Sequence, residues 1–232
     1  LATSGKYTTS FSRQRESDAE KEFSGELNSV ILTIENPPHL SSLEKDFCKS
    51  WLQQEKPIVF PTDTVMGIGV NGQSQQAVYN LFRMKNREEM KPLILFVSSL
   101  EEAEQYISDP KLLQHPLIQK NWPGALTGVF PAIGEGVYLS PSLPQETIGI
   151  RIPDDEMLLD FLPYLPFPFV TTSANISNQV PLENAHQAQA EFGEKALILD
   201  RPKKGDQNKA SAVISFLSDG SYKVLREGQF KK

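Results

Sequence analysis

A single cysteine, Cys48, stands in a chain of 232 residues, so no intramolecular disulfide can form and a thiolate zinc cage is impossible. Such sparing cysteine usage is the expectation for a reducing compartment. The three histidines, His39, His115 and His186, are far apart and none sits in H-E-x-x-H or a comparable pair. A histidine-rich metal site of that kind is excluded, and any metal would be a hard, oxygen-liganded ion. No apolar run approaches the roughly 18 residues that a spanning helix needs. No G-x-x-x-x-G-K-[ST] occurs, so ATP, if used, is not held by a P-loop. Surplus positive charge is missing too, since 23 basic residues face 29 acidic ones for a net charge of -6. That balance argues against coating nucleic acid by bulk charge, and an anionic ligand would need a local cluster of cations.

With 39% hydrophobic and 22% charged residues, the composition is that of a folded globular protein large enough for one substantial core. Residues 1–29 contain nine Ser/Thr, four basic and five acidic residues with no helical or strand period, which reads as a flexible head. The head lacks the apolar stretch of a signal peptide, and Glu16, Asp18, Glu20 and Glu22 are wrong for an acid-poor transit peptide. The body, 30–232, reads as one domain.

In the body, strands and helices alternate. A strand is expected at 30–34, then a capping box, Ser41-Ser42-Leu43-Glu44, opening a helix whose apolar stripe is Leu43, Phe47, Cys48, Trp51 and Leu52. Cys48 reads as core rather than nucleophile. Strands follow at 57–60 and through TDTVMGIGV, a helix at 74–84, a strand at 93–97, and helices at 99–107 and 111–120. Strands ALTGVF and TIGIRI, a helix at 154–162, a strand FVTTS, a helix at 184–192 and a strand ALIL come next. SAVISF and YKVLRE close the chain around Asp219-Gly220, a hairpin signal. Crossovers together with a hairpin predict α/β (α+β) layers on one mixed sheet.

Several segments carry chemistry only in company. Gly67-Ile-Gly69-Val-Asn-Gly72 matches G-x-G-x-x-G, yet it follows Pro61-Thr62-Asp63-Thr64 and continues a period-two pattern, unlike a dinucleotide turn. Lys85-Asn86-Arg87 either complements a helix C-terminus or clamps an anion. Thr171-Thr172-Ser173-Ala174-Asn175 is either turn chemistry or a phosphate and nucleobase site at a strand end. Trp122-Pro123-Gly124 suits a turn with Trp122 in the core. Asp63, Asp154 and Asp155 are candidate Mg²⁺ ligands or simple caps.

In order, however, PTDTVMGIG at 61–69, KNR at 85–87, KPLIL at 91–95, WPGALT at 122–127, IGIRIP at 148–153, TSAN at 172–175 and VLREG at 224–228 form a set. The set resembles the YrdC-like family of threonylcarbamoyl-AMP synthases in its short, single-domain form, over about residues 45–230. The resemblance implies a twisted mixed sheet flanked by helices, with an open concave nucleotide-binding groove. It implies a nucleotidyltransferase that makes L-threonylcarbamoyl-AMP from L-threonine, bicarbonate or CO₂ and ATP, releasing pyrophosphate, for the threonylcarbamoyladenosine modification of tRNA. ATP and L-threonine are then substrates, Mg²⁺ binds through ATP phosphates, and the location is cytoplasmic, with tRNA or a tRNA-threonylcarbamoyl-transferase complex as a further partner. Carried over by motif, Lys85 and Arg87 contact the ATP phosphates or the carbamate, and Ser173 and Asn175 hold the adenylate. Ser211 and Arg226 close the nucleotide site, while Thr64, Thr127 and Arg151 surround the threonine pocket, with Arg151 alternatively a structural partner of a nearby carboxylate.

The chain departs from the pattern at Met66, where Tyr or Phe is usual, at Phe96, at Asn178, at Ala212 and at Lys203-Lys204. An alternative is a paralog of the same architecture that binds nucleotide or RNA with a different reaction or none.

Overall fold

The structure is a computed structural model that describes residues 8–9, 30–34, 37–134, 136–141, 146–177, 179–201, 209–228 and 230. The expected flexible head, apart from Thr8–Thr9, and the departures at Asn178, Lys203 and Lys204 lie outside the described residues. Among the described residues, eleven strands form one mixed sheet. They are β1 (Thr8–Thr9), β2 (Val30–Thr33), β3 (Ile58–Phe60), β4 (Gly67–Asn71), β5 (Ile94–Phe96), β6 (Leu126–Pro131), β7 (Thr147–Arg151), β8 (Phe169–Ser173), β9 (Leu197–Asp200), β10 (Ala212–Phe216) and β11 (Tyr222–Arg226). Their spatial order is β1-β2-β9-β3-β4-β8-β5-β7-β6-β10-β11. Parallel pairs such as β5 with β7 sit beside antiparallel pairs such as β4 with β8, as the mixture of crossovers and a hairpin requires. The pairing of Thr8–Thr9 with β2 had no counterpart in the sequence pattern.

The helices are α1 (Ser42–Gln53), α2 (Gln75–Met84), α3 (Leu100–Glu104), α4 (Pro116–Asn121), α5 (Glu156–Phe161) and α6 (Ala185–Phe192). The capping box forms: Ser41 N–H donates to Glu44 Oε2 at 2.6 Å and Glu44 N–H to Ser41 Oγ. That reciprocal bond buries Glu44, while Leu43, expected in the stripe, turns outward at 50% exposure. The helix expected at 111–120 is two pieces, a 3₁₀ turn at Pro110–Gln114 and α4. Pro116 lacks an N–H and drives His115 out of the helical region, to ψ 134°, so the turn ends there and His115 Nδ1 caps the next helix.

Alternate strand residues sort onto two cores. Val59, Ile68, Leu95, Ile150, Val170 and Ile198 face the larger one, beneath α2, α3, α4 and α6. Ile58, Phe60, Phe96, Phe169, Leu197 and Leu199 face a smaller one capped by α1 and α5, where Cys48, Trp51 and Phe161 also lie. The G-x-G segment is the central strand β4, antiparallel to both neighbours. A Cβ on Gly67 would lie 2.7 Å from Phe60 and one on Gly69 2.4 Å from Phe169. These glycines make room for aromatic rings, which removes the dinucleotide reading.

The smaller core covers only part of its face. Beyond it the same face presents Ile94, Gly149, Arg151, Thr127, Val129, Thr171, Ser173, Ser211 and Val213, none of which belongs to the set of buried residues forming either core. Among the described residues, this stretch of sheet carries no helical layer.

Candidate functional site

Over this stretch lies a cleft of about 280 Å³. The Pro61–Met66 loop, entering β4, forms one wall. Thr62 Oγ1 donates to Val65 O at 2.7 Å and accepts from Thr64 N–H at 3.0 Å, so the loop is closed on its own hydroxyls. On the opposite side, Arg226 at the end of β11 donates from Nη2 to Ser211 O at 2.9 Å and Ser211 Oγ at 3.3 Å. Ser211 in turn shares a 2.9 Å hydrogen bond with Thr127.

Lys85-Asn86-Arg87 folds as it does because Asn86 adopts a left-handed conformation, φ 49°, just past α2. Arg87 N–H then reaches Phe82 O at 2.9 Å and Asn86 N–H reaches Arg83 O at 3.2 Å, the paired bonds of a Schellman end. Asparagine tolerates that region better than most residues, which explains its place between the two cations. The turn sends their side chains to different tasks. Lys85, 1% exposed, donates from Nζ to the carbonyl oxygens of Ser173 and Asn175, and its own carbonyl accepts from Ser177 N–H at 3.0 Å. It staples the Thr172–Asn175 loop from behind. Burial, then the neighbouring Arg87, pulls its pKa down to about 7. Arg87 lines the cleft, held by Nε to Lys91 O at 2.7 Å and Nη2 to Pro92 O at 3.0 Å. Burial and, next, the Arg226 charge lower its pKa to about 10.

The loop that Lys85 holds is further closed by Ser173 Oγ donating to Asn175 Oδ1 at 2.6 Å, and by Asn175 Nδ2 donating to Gln179 O at 2.7 Å. Ala174 N–H donates to Met66 O at 2.7 Å, extending the β4–β8 ladder and tying this loop to the end of the neighbouring Pro61–Met66 loop.

Arg151, 4% exposed, donates from Nε to Gly124 O at 2.9 Å, from Nη1 to Thr64 Oγ1 at 2.9 Å and from Nη2 to Asp63 Oδ1 at 2.6 Å. The Phe96 ring lies 5.7 Å from the guanidinium carbon. Gly124 reaches Arg151 through the Trp122-Pro123-Gly124 turn, in which a Cβ on Gly124 would clash with Asn121 O at 2.6 Å. Trp122 itself packs against the larger core.

Of the nine residues expected in the site, Thr64, Arg87, Arg151, Ser173, Ser211 and Arg226 line the cleft. Lys85, Asn175 and Thr127 lie directly behind it, each bonded to a lining residue. Thr171 and Thr172, which belong to the strand-end segment read as turn chemistry or a phosphate and nucleobase site, also line it, as do Thr62, Met66 and Phe96, to which no site role was given. Two of the three candidate magnesium carboxylates are otherwise engaged, since Asp63 pairs with Arg151 and Asp155 caps α5 and pairs with Arg201, while Asp154 is exposed and is not among the residues lining this cleft. No group of three or more His, Cys, Asp or Glu side chains that could hold a metal occurs among the described residues.

Residues 50–228 match the Sua5/YciO/YrdC family model, described as "Telomere recombination". The chain belongs to the Sua5/YciO/YrdC family. Among curated Sua5/YciO/YrdC relatives, the Threonylcarbamoyl-AMP synthase of Klebsiella pneumoniae is 32% identical over 165 residues, which are 68% of this chain and 83% of that protein. The crystal structure of P. abyssi Sua5 complexed with L-threonine superposes with a TM-score of 0.74 at 27% identity, covering 86% of this chain. This chain spans 58% of that Sua5 chain. E. coli YciO superposes with a TM-score of 0.72 at 21% identity, covering 87% of this chain and 96% of YciO, and carries the fold alone. Over the superposed residues the architecture is shared with those structures, a mixed α/β domain with helices on a large sheet. No helix among the described residues is long and apolar enough to cross a membrane.

Proposed function

We propose that this protein synthesises L-threonylcarbamoyl-AMP from L-threonine, bicarbonate or CO₂ and ATP, releasing pyrophosphate, and so acts as a cytoplasmic nucleotidyltransferase. The observation that carries the reading is the convergence of Arg87, Arg151 and Arg226 on one cleft of a protein with net charge -6. The curated relatives' name and the threonine complex of P. abyssi Sua5 support the same reading.

The substrates carry their own nucleophiles. Threonine's free amine attacks CO₂ to give a carbamate and a proton, and a carbamate oxygen then attacks the α-phosphorus of ATP as the bond to pyrophosphate breaks. The protein has only to align these groups and stabilise their charge. Among the described residues neither Arg87 nor Arg226 forms an ion pair, and only the nearby Glu88 charge partly offsets Arg87, so both are cations available to the phosphates and the carbamate. A unit charge pair at 4 Å is worth about 4 kcal/mol at an effective dielectric of 20, enough for two such groups to hold a triphosphate.

Ser173, with Asn175 and Lys85 fixing its loop, presents the adenylate side, and Ser211, backed by Thr127, closes it. Thr64 and Arg151 form the threonine side. Magnesium enters with ATP as part of the substrate. With Asp63 and Asp155 both in ion pairs, its ligands would be phosphate oxygens and water. The product's acceptor is a tRNA, reached through a transferase complex.

The test is pyrophosphate release with ATP, Mg²⁺, bicarbonate and L-threonine. Turnover that requires both threonine and bicarbonate supports the proposal. ATP binding without such turnover would refute it in favour of a nucleotide-binding paralog.

A further inference from the structure

The cleft holds three arginines, of which, among the described residues, only Arg151 forms an ion pair with a carboxylate. A buried guanidinium needs both its charge and its donors met, and removing a partner from such a pair leaves a costly isolated ion. Asp63 supplies that partner at 2.6 Å from the floor of the Pro61–Met66 loop, and Thr64, the next residue, bonds the other Nη atom. With Nε on Gly124 O and one face over Phe96, the guanidinium is fixed in direction and plane. Among the described residues, three of its five N–H groups are engaged, which leaves one on each Nη for a ligand.

The pair also divides the cleft electrically. Burial first, and then the Arg151 charge, push Arg226 down, and burial and then the Arg226 charge push Arg87 down, so the three arginines also form a chain of mutual repulsion. Asp63 neutralises the end of that chain. The Arg151–Thr64 side becomes donor-rich and nearly neutral, whereas the Arg87–Arg226 side stays cationic. A zwitterionic amino acid suits the first and a triphosphate the second.

From this geometry we infer that Asp63 is the positioning residue that aims Arg151 and Thr64 at the amino acid substrate and keeps the triphosphate out of their half of the cleft. The inference rests on the synthase reading. Asp63 touches neither substrate in this scheme; it acts through Arg151.

The test compares wild type with Asp63→Asn, Asp63→Glu and Arg151→Lys in steady-state pyrophosphate release, varying threonine and ATP separately, with thermal melting as the check on folding. Loss of one charge-assisted hydrogen bond predicts a threonine KM raised about tenfold or more in Asp63→Asn, with the ATP KM within about twofold of wild type. Asp63→Glu, which keeps the charge at a longer reach, recovers part of the loss. Asp63→Asn adds little to Arg151→Lys, because both act on one interaction. An active wild type whose folded Asp63→Asn variant keeps its threonine KM overturns the role of Asp63 alone. Equal rises in both KM values overturn it too, since a general structural defect gives that pattern. A wild type that releases no pyrophosphate and whose melting temperature does not rise with L-threonine removes the synthase reading and this inference with it.

Discussion

Replacing Lys85 with methionine tests whether the buried ammonium behind the Thr172–Asn175 loop is a cost that the fold carries for the sake of the site. Burial and the Arg87 charge lower the Lys85 pKa from 10.5 to about 7. Between those values the unfolded chain keeps a proton that the folded protein has released. The unfolded state therefore binds more protons, and stability rises with pH across the window from about 7 to 10.5. At about 1.36 kcal/mol per pH unit the full rise is about 5 kcal/mol, of which about 1.5 kcal/mol falls between pH 7 and 8.5. Lys85→Met lacks this dependence. It also leaves the Ser173 and Asn175 carbonyls without their shared donor, a pH-independent loss of about 1–3 kcal/mol for each. Urea unfolding of both proteins at pH 7 and pH 8.5, at one ionic strength, isolates the term, because the other titrating groups are shared. The stability of wild type relative to Lys85→Met should increase by about 1.5 kcal/mol at the higher pH. A difference that does not change would show that the two carbonyls keep the ammonium charged throughout, and the argument from burial would fail.

Arg87→Ala should lower pyrophosphate release by at least about 10²-fold, as for loss of one preorganised charge-stabilising donor, and near-normal turnover would remove Arg87 from the mechanism. Gly69→Ala places a methyl 2.4 Å from the Phe169 ring and should cost about 1–3 kcal/mol in urea unfolding, part of it recovered by Phe169→Leu. Cys48, whose thiol is pushed far up by burial, should not react with a disulfide reagent at pH 8 until the protein is unfolded. Rapid labelling of the native protein would show that the smaller core is open.

The strands and most helices were readable because their apolar residues repeat at two or near four, and the capping box and the Asp219-Gly220 hairpin announce themselves locally. Leu43 and the break at Pro116 escaped for opposite reasons. The first needed the direction of a buried carboxylate, whereas the second had a local signal, a proline without an N–H, that helical periodicity masked. The residues that the resemblance singled out lie in or directly behind one cleft, but which of them line it was not legible in the sequence. Lys85 and Arg87 are alike in composition and two residues apart, and only the φ of Asn86 separates a cation that holds a loop from one that faces the cleft. Asp63 looked like a cap or a metal ligand because its partner is 88 residues away in sequence.

The sheet face left bare beside the smaller core has a genetic consequence. On β7 and β8, residues pointing one way build the larger core and their immediate neighbours floor the cleft: Ile150 beside Arg151, and Val170 beside Thr171. A saturation map of these strands should therefore beat with a period of two. One register would lose folded protein; in the other, Thr171 and Ser173 would keep abundance and lose turnover, while Phe169, in the smaller core, and Arg151, in its buried ion pair, would lose both, so that abundance and activity scored together would trace the outline of the cleft.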